Sequence, residues 1–194
     1  MKIKQVGIFS GSFNPIHIGH LILANYMLEF TYLDEVWFVV SPHNPLKETK
    51  NLLSNDIRLE MARLAVMDFD DMIVSDVEFD MPEPSYTIDT LTKLKTENPR
   101  LEFTLLIGGD NWTKFYRWKD HERLVKEFKI LIYPRREEDV RIDSEHTENV
   151  QLVEAPIVEI SSTFIRESIR AGKDVRAFLP NRVYDYIVSN KLYK

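Results

Sequence analysis

Ile3-Lys4-Gln5-Val6-Gly7-Ile8-Phe9-Ser10-Gly11-Ser12-Phe13-Asn14-Pro15-Ile16-His17-Ile18-Gly19-His20 is the stretch from which the fold is read. An apolar, strand-like run from Ile3 to Phe9 stops at Ser10-Gly11-Ser12, Asn14-Pro15 is turn-prone, and an apolar helical pattern then runs from about Gly19 to Phe30. Strand, glycine-bearing turn and helix in that order make the building unit of a parallel sheet, and the unit recurs along the chain.

Working outward, Val36-Trp37-Phe38-Val39-Val40 is a continuous apolar run of the kind carried by a strand buried on both faces. Residues 41–50 form a polar, proline-bearing loop, and Ser54 to Met67 reads as an amphipathic helix with Ser54 as N-cap. Short strands are expected at Met72–Val74 and Val77–Phe79, a helix at Thr87–Thr96, and a buried strand at Phe103–Ile107 closed by Gly108-Gly109. A helical region to about Glu127 and a strand at Lys129–Tyr133 follow. Pro134 to Asn149 is charged and weakly patterned, an expected surface loop; a short strand near Gln151–Val153 then precedes helices at Ser162–Ala171 and Pro180–Asn190. Alternating strands and helices predict an α/β fold, a parallel sheet with right-handed crossovers. Ligands of such sheets bind beyond the carboxyl ends of strands, where the strand order switches.

The chemistry-bearing residues all follow predicted strands. Gly11 lets backbone approach a ligand, and the helix opened by Gly19 and His20 points N–H groups and its positive dipole end at the turn, a setting for phosphate. His17 and His20 are three residues apart, so both rings can face one bound group. Such donors suit attack by a phosphate oxygen on the α-phosphorus of ATP, where negative charge builds on phosphoryl oxygens; losing one donor of this kind costs about 3 kcal/mol. No strong base is needed, because a phosphomonoester is already largely ionised above a second pKa of roughly 6. The helix end disfavours a protonated histidine and a triphosphate favours it, so the charge state stays open at this level. Half of a zinc site is the competing reading, but no further His, Asp or Glu stands nearby at ligand spacing. Far along the chain, Ile160-Ser161-Ser162-Thr163-Phe164-Ile165-Arg166 opens another predicted helix, capped by Ser161 or Ser162. One turn in, Arg166 presents a planar fork that matches phosphate.

Gly11 to His20 resembles the signature of the adenylyltransferases of the nucleotidyltransferase superfamily, His-x-Gly-His after a glycine-rich turn, and Ile160 to Arg166 resembles their second signature, Ile-Ser-Ser/Ala-Thr-x-Ile-Arg. Three further strings are similar to the nicotinate mononucleotide branch: Pro84-Ser85-Tyr86-Thr87-Ile88-Asp89-Thr90-Leu91, Ile107-Gly108-Gly109-Asp110, and Phe115-x-x-Trp118. The resemblance implies a Rossmann-like parallel sheet flanked by helices, with a small helical part at 162–194 completing the ATP site within one domain, 1–194. It implies that His17, His20 and Arg166 act on the phosphates and that Gly11, Ser12, Phe13, Gly19, Gly109, Asp110, Ser161, Ser162 and Thr163 lie against ATP. For the mononucleotide it implies Asn44, Lys47, Ser85, Tyr86, Thr87 and Trp118. Trp118 offers an indole face to a pyridinium ring, and the Thr87 N–H at a helix start suits a nicotinate carboxylate. The loop Ser41-Pro42-His43-Asn44-Pro45-Leu46-Lys47 departs from the branch's usual Pro-Pro-His/Lys element. Mg²⁺ is implied only as carried on the ATP phosphates, with no protein ligand.

Composition narrows the classes. The 194 residues suit one domain, the net charge is −6, and there is no cysteine. An acidic chain without dense Lys/Arg clusters argues against nucleic acid; the missing cysteines exclude disulfides and thiolate chemistry. No run approaches the roughly 20 apolar residues of a membrane span, and Met1 to Phe9 lacks a signal-peptide pattern. A cytoplasmic, soluble enzyme is expected, with ATP and nicotinate mononucleotide as partners and homo-oligomerisation left open. Two rival acceptors, nicotinamide mononucleotide and phosphopantetheine, and a non-catalytic nucleotide sensor remain as alternatives.

Overall fold

The computed structural model describes residues 3–42, 52–135, 140–142 and 148–194. Among the described residues six strands form one parallel sheet: β1 (Lys4–Gly11), β2 (Glu35–Val40), β3 (Met72–Ser75), β4 (Leu101–Gly108), β5 (Lys129–Tyr133) and β6 (Val150–Leu152), in the order β3-β2-β1-β4-β5-β6. The helices are α1 (Ile18–Phe30), α2 (Asn55–Val66), α3 (Thr87–Glu97), α4 (Gly109–Trp112), α5 (His121–Glu127), α6 (Ser162–Arg170) and α7 (Asn181–Ser189).

The expected apolar runs form the sheet because period-two alternation feeds two cores at once. Val36, Phe38 and Val40 of β2 join a core with α1, α2 and α7, whereas Val39 and the partly buried Trp37 pack with α3 and α5 on the other face. In α2 the same logic runs at helical spacing, with Met61, Ala62 and Ala65 inward. The strand order turns around between β1 and β4, whose carboxyl ends lie side by side. That is where a doubly wound sheet opens a crevice.

Two expectations need correction. Val77–Phe79 is a turn rather than a strand: the Phe79 N–H bonds Asp76 O at 2.8 Å and the Met81 N–H bonds Glu78 O at 3.2 Å. The Val-Glu-Phe alternation looks strand-like, but Glu78 points inward and is 4% exposed, satisfied by hydroxyl groups described below. The helical region after Gly109 is three short pieces, α4, a 3-10 turn at Phe115–Arg117 and α5, separated at Asp120, whose φ of 50° ends any continuous helix. Asp110 consequently lies in the first turn of α4. The loop 134–149 is described only in part, and there Val140 and Ile142 lie against the second core while Arg141 O accepts the Trp112 indole N–H at 2.8 Å.

Candidate active site

The turn after β1 is set by close packing. A Cβ on Gly11 would stand 3.0 Å from the Phe13 ring; the hydrogen there lets that ring, 3% exposed, sit under the turn in edge contact with Phe9, Phe38 and His20. Phe13 itself takes a φ of 43°, a conformation an L side chain adopts only where its surroundings fix it. His17 is the N-cap of α1. Its N–H bonds His20 Nδ1 at 3.1 Å, the His20 N–H returns to His17 O at 2.9 Å, and the two rings stack with centroids 3.7 Å apart.

These contacts address the charge state. An Nδ1 that accepts a backbone N–H carries a lone pair, so His20 holds its proton on Nε2. His17 is 5% exposed, and burial together with the nearby Arg135 guanidinium lowers its pKa to about 4. The His17 ring is therefore neutral near pH 7 when no polyphosphate is present. Gly19 is also needed here, since a Cβ would meet His17 Nδ1 at 3.0 Å and Val158 Cγ1 at 3.1 Å.

The second motif folds back onto this turn. Ser161, not Ser162, caps α6 by accepting the Phe164 N–H at 3.1 Å. The Ser162 hydroxyl donates to Pro15 O at 2.8 Å across 147 positions of chain. Arg166 Nη1 donates to Asn14 O at 2.8 Å and Nη2 to Thr163 Oγ1 at 3.1 Å. Imidazoles and guanidinium thus flank one short turn, residues 13–17. Burial lowers the pKa of Arg166 from its ordinary value; an arginine stays charged regardless.

Beyond Gly11 an open cleft of about 1030 Å³ runs over the carboxyl ends of β1 and β4 and is walled by Tyr86, Thr87 and Trp118. Tyr86 is the N-cap of α3. Ser85 and Glu78 line the same cleft; the Ser85 hydroxyl donates to Glu78 Oε2 at 2.7 Å, while Thr90 Oγ1 donates to Glu78 Oε1 at 2.9 Å. Trp118 is partly buried behind Phe115 (5.3 Å between rings), which stacks on Trp112 at 4.9 Å. Trp112 is thus a packing residue and Trp118 a cleft wall. Asp110 is exposed and lies 3.7 Å from Arg135 Nε. Asn44 and Lys47 lie outside the described residues.

Sequence reasoning missed two arginines. Arg135, just after β5, is half-buried, donates to Val158 O at 3.2 Å and stands over the Tyr133 ring at 5.2 Å. Arg58 in α2 is fully buried: it donates to Ser12 O and Ser41 O at 2.7 Å each, Leu53 O at 3.0 Å, Pro42 O at 3.3 Å and Asn55 Oδ1 at 2.6 Å. The signal for Arg58 was present, since it occupies the inward stripe with Met61, Ala62 and Ala65. Among the described residues no group of three or more His, Asp or Glu side chains could hold a metal, and no helix is long and apolar enough to cross a membrane.

Comparison with known proteins agrees with this geometry. A model of the cytidylyltransferase-like family matches residues 8–168. A probable nicotinate-nucleotide adenylyltransferase of Bacteroides fragilis is 54% identical over 188 residues, covering 97% of this chain and 93% of the relative. One of Flavobacterium johnsoniae is 44% identical, covering 98% and 99%. The fold is that of the Plasmodium falciparum nicotinic acid mononucleotide adenylyltransferase solved with NaAD, with a TM-score of 0.80 at 23% identity over 98% of this chain and 97% of that one. With both signatures converging on one turn and relatives matched nearly end to end, the chain belongs to the cytidylyltransferase-like nucleotidyltransferases, and within them to the nicotinate-nucleotide adenylyltransferases of NAD biosynthesis.

Proposed function

We propose that the phosphate of nicotinate mononucleotide, bound in the cleft, attacks the α-phosphorus of ATP lying over the turn, giving deamido-NAD and pyrophosphate. The observation that carries this reading is the pair of bonds from Ser162 to Pro15 O and from Arg166 to Asn14 O, which places a guanidinium on the turn that bears both imidazoles. His20 presents Nε2–H to the phosphates, and His17 takes up a proton when the polyphosphate arrives, because the ligand's charge opposes the burial that keeps it neutral. Arg166 neutralises charge on the departing pyrophosphate. Gly11, Ser12, Phe13 and Gly19 on one side and Ser161 to Thr163 on the other lie along ATP, with Gly109 and Asp110 toward a ribose. Tyr86, Thr87 and Trp118 hold the nicotinate, the indole against the pyridinium and the first amides of α3 toward the carboxylate.

In this reading in-line displacement needs no covalent intermediate, and positioning supplies much of the rate. Mg²⁺ is read as arriving on the ATP phosphates, where it would neutralise charge; the described residues offer no carboxylate cluster for it. Residues 1–194 act as one domain, and a chain without cysteine fits the cytoplasm. The test is pyrophosphate release from ATP with nicotinate mononucleotide, nicotinamide mononucleotide or phosphopantetheine. The acid mononucleotide is expected to be fastest, and His20→Ala to lower kcat by about 10³-fold with circular dichroism unchanged. Bound ATP with no pyrophosphate from any acceptor would instead mark a sensor.

A further inference from the structure

After α7 the chain turns back sharply. The Lys191 N–H bonds Val188 O at 3.2 Å and the Leu192 N–H bonds Ile187 O at 3.0 Å. Lys191 and Tyr193 adopt φ values of 52° and 64°, two non-glycine residues in the left-handed region within three positions. Such conformations persist only where surrounding contacts over-determine them. Their effect here is to drive Tyr193 into the first core, where it is 7% exposed and its phenol donates to Asn14 Oδ1 at 2.8 Å, across 179 positions of chain. Asn14 is the residue whose carbonyl accepts Arg166 Nη1. One residue of the phosphate turn is therefore held by its side chain from Tyr193 and, through its carbonyl, holds the guanidinium.

We infer that Tyr193 is a positioning residue for adenylyl transfer: by clamping the Asn14 amide it fixes the carbonyl that aims Arg166 at the polyphosphate. The inference rests on the proposed role of Arg166. Burial keeps the phenol protonated and so a donor, with Arg166 and Arg58 as the charged groups that face it. The geometry distinguishes it from ordinary packing residues of the same segment. Leu192 lies partly buried against the core, whereas Tyr193 bonds directly to the loop that carries the chemistry.

Tyr193→Phe removes only the hydroxyl and keeps the ring. It is expected to lower kcat about ten-fold, in line with a misplacement well below 1 Å, while the KM for nicotinate mononucleotide stays within two-fold and the melting temperature moves little. In an Arg166→Gln background, itself expected to be about 10²-fold slower, the same change is expected to cost less than two-fold, because its effect is exerted through Arg166. Leu192→Ala serves as the packing control: it should lower the melting temperature and leave kcat nearly intact. Equal costs of Tyr193→Phe in both backgrounds, no loss of kcat, or a loss matched by Leu192→Ala would each overturn the inference. Near-normal turnover of Arg166→Gln alone would instead overturn the assigned role of Arg166. Asn14→Ala removes the acceptor in place of the donor, together with the longer bond from the Leu53 N–H at 3.5 Å; its kcat is expected to fall at least as far as that of Tyr193→Phe, with the same loss of effect in the Arg166→Gln background, and it replaces Tyr193→Phe in the cycle if that variant does not fold.

Discussion

The two halves of the site are held in different ways. The phosphate turn, residues 11–20, is gripped from far along the chain: Arg58 reaches Ser12 O, Ser162 reaches Pro15 O, Arg166 reaches Asn14 O and Tyr193 reaches the Asn14 amide. The wall proposed for the mononucleotide is tied largely within short segments, Glu78 to Ser85 and Thr90, and Trp112 through Phe115 to Trp118. The first arrangement makes the turn a product of the whole fold. The second ties the wall mainly within two short segments, residues 78–90 and 112–118, which Lys119 joins by bonding Asp89 Oδ2 at 2.8 Å. Damage to the first should therefore register in stability and in every substrate, and damage to the second in one substrate alone.

The largest expected effect tests the first half. Arg58→Met keeps the volume but leaves five acceptors without their donor, the carbonyls of Ser41 and Pro42 in buried bonds and the other three in part-buried ones, a loss of about 3–5 kcal/mol in unfolding free energy read from urea denaturation. A loss below about 1 kcal/mol would break the contrast drawn here. Next comes pH. His17 is nearly inaccessible and holds its pKa at about 4 in the folded chain, against an ordinary value of 6.5. The unfolded chain therefore binds more protons between those values; the stability is complete above pH 6.5 and is lost as pH falls toward 4, by about 3 kcal/mol. Urea curves of the parent and of His17→Asn at pH 7 and pH 4 should differ by that amount in their pH response. The smallest effect falls on the wall. Trp118→Ala should raise the KM for nicotinate mononucleotide about ten- to thirty-fold, the worth of a cation–π contact of about 2 kcal/mol, with the KM for ATP and the urea midpoint little moved. Equal shifts in both KM values would show that the halves are not separable.

Much of the fold was legible because parallel strands buried on both faces leave unbroken apolar runs, and Val36–Val40 could hardly be anything else. The phosphate turn was legible because its chemistry is contiguous: two imidazoles, a glycine and a proline within ten residues. What escaped was the support. Arg58 and Arg135 bond mainly to main-chain carbonyls, which every residue possesses, so little in the sequence announces the pairing. Tyr193 meets Asn14 across 179 positions, with nothing local to mark either. Glu78 misled because a three-residue alternation fits a strand as well as a turn with one inward carboxylate. Ser85 belongs to a recognisable string, yet its hydroxyl faces Glu78, a direction that no string encodes.

The carbonyl grip of Arg58 has a consequence for how the enzyme changes over generations. Four of its five acceptors belong to the main chain, at positions 12, 41, 42 and 53. Replacing the side chains there alters what the loops offer to a ligand without removing a single anchor. Geometry and chemistry are thereby inherited separately, and the loops around the crevice can drift toward new acceptors while the frame that carries ATP stays put.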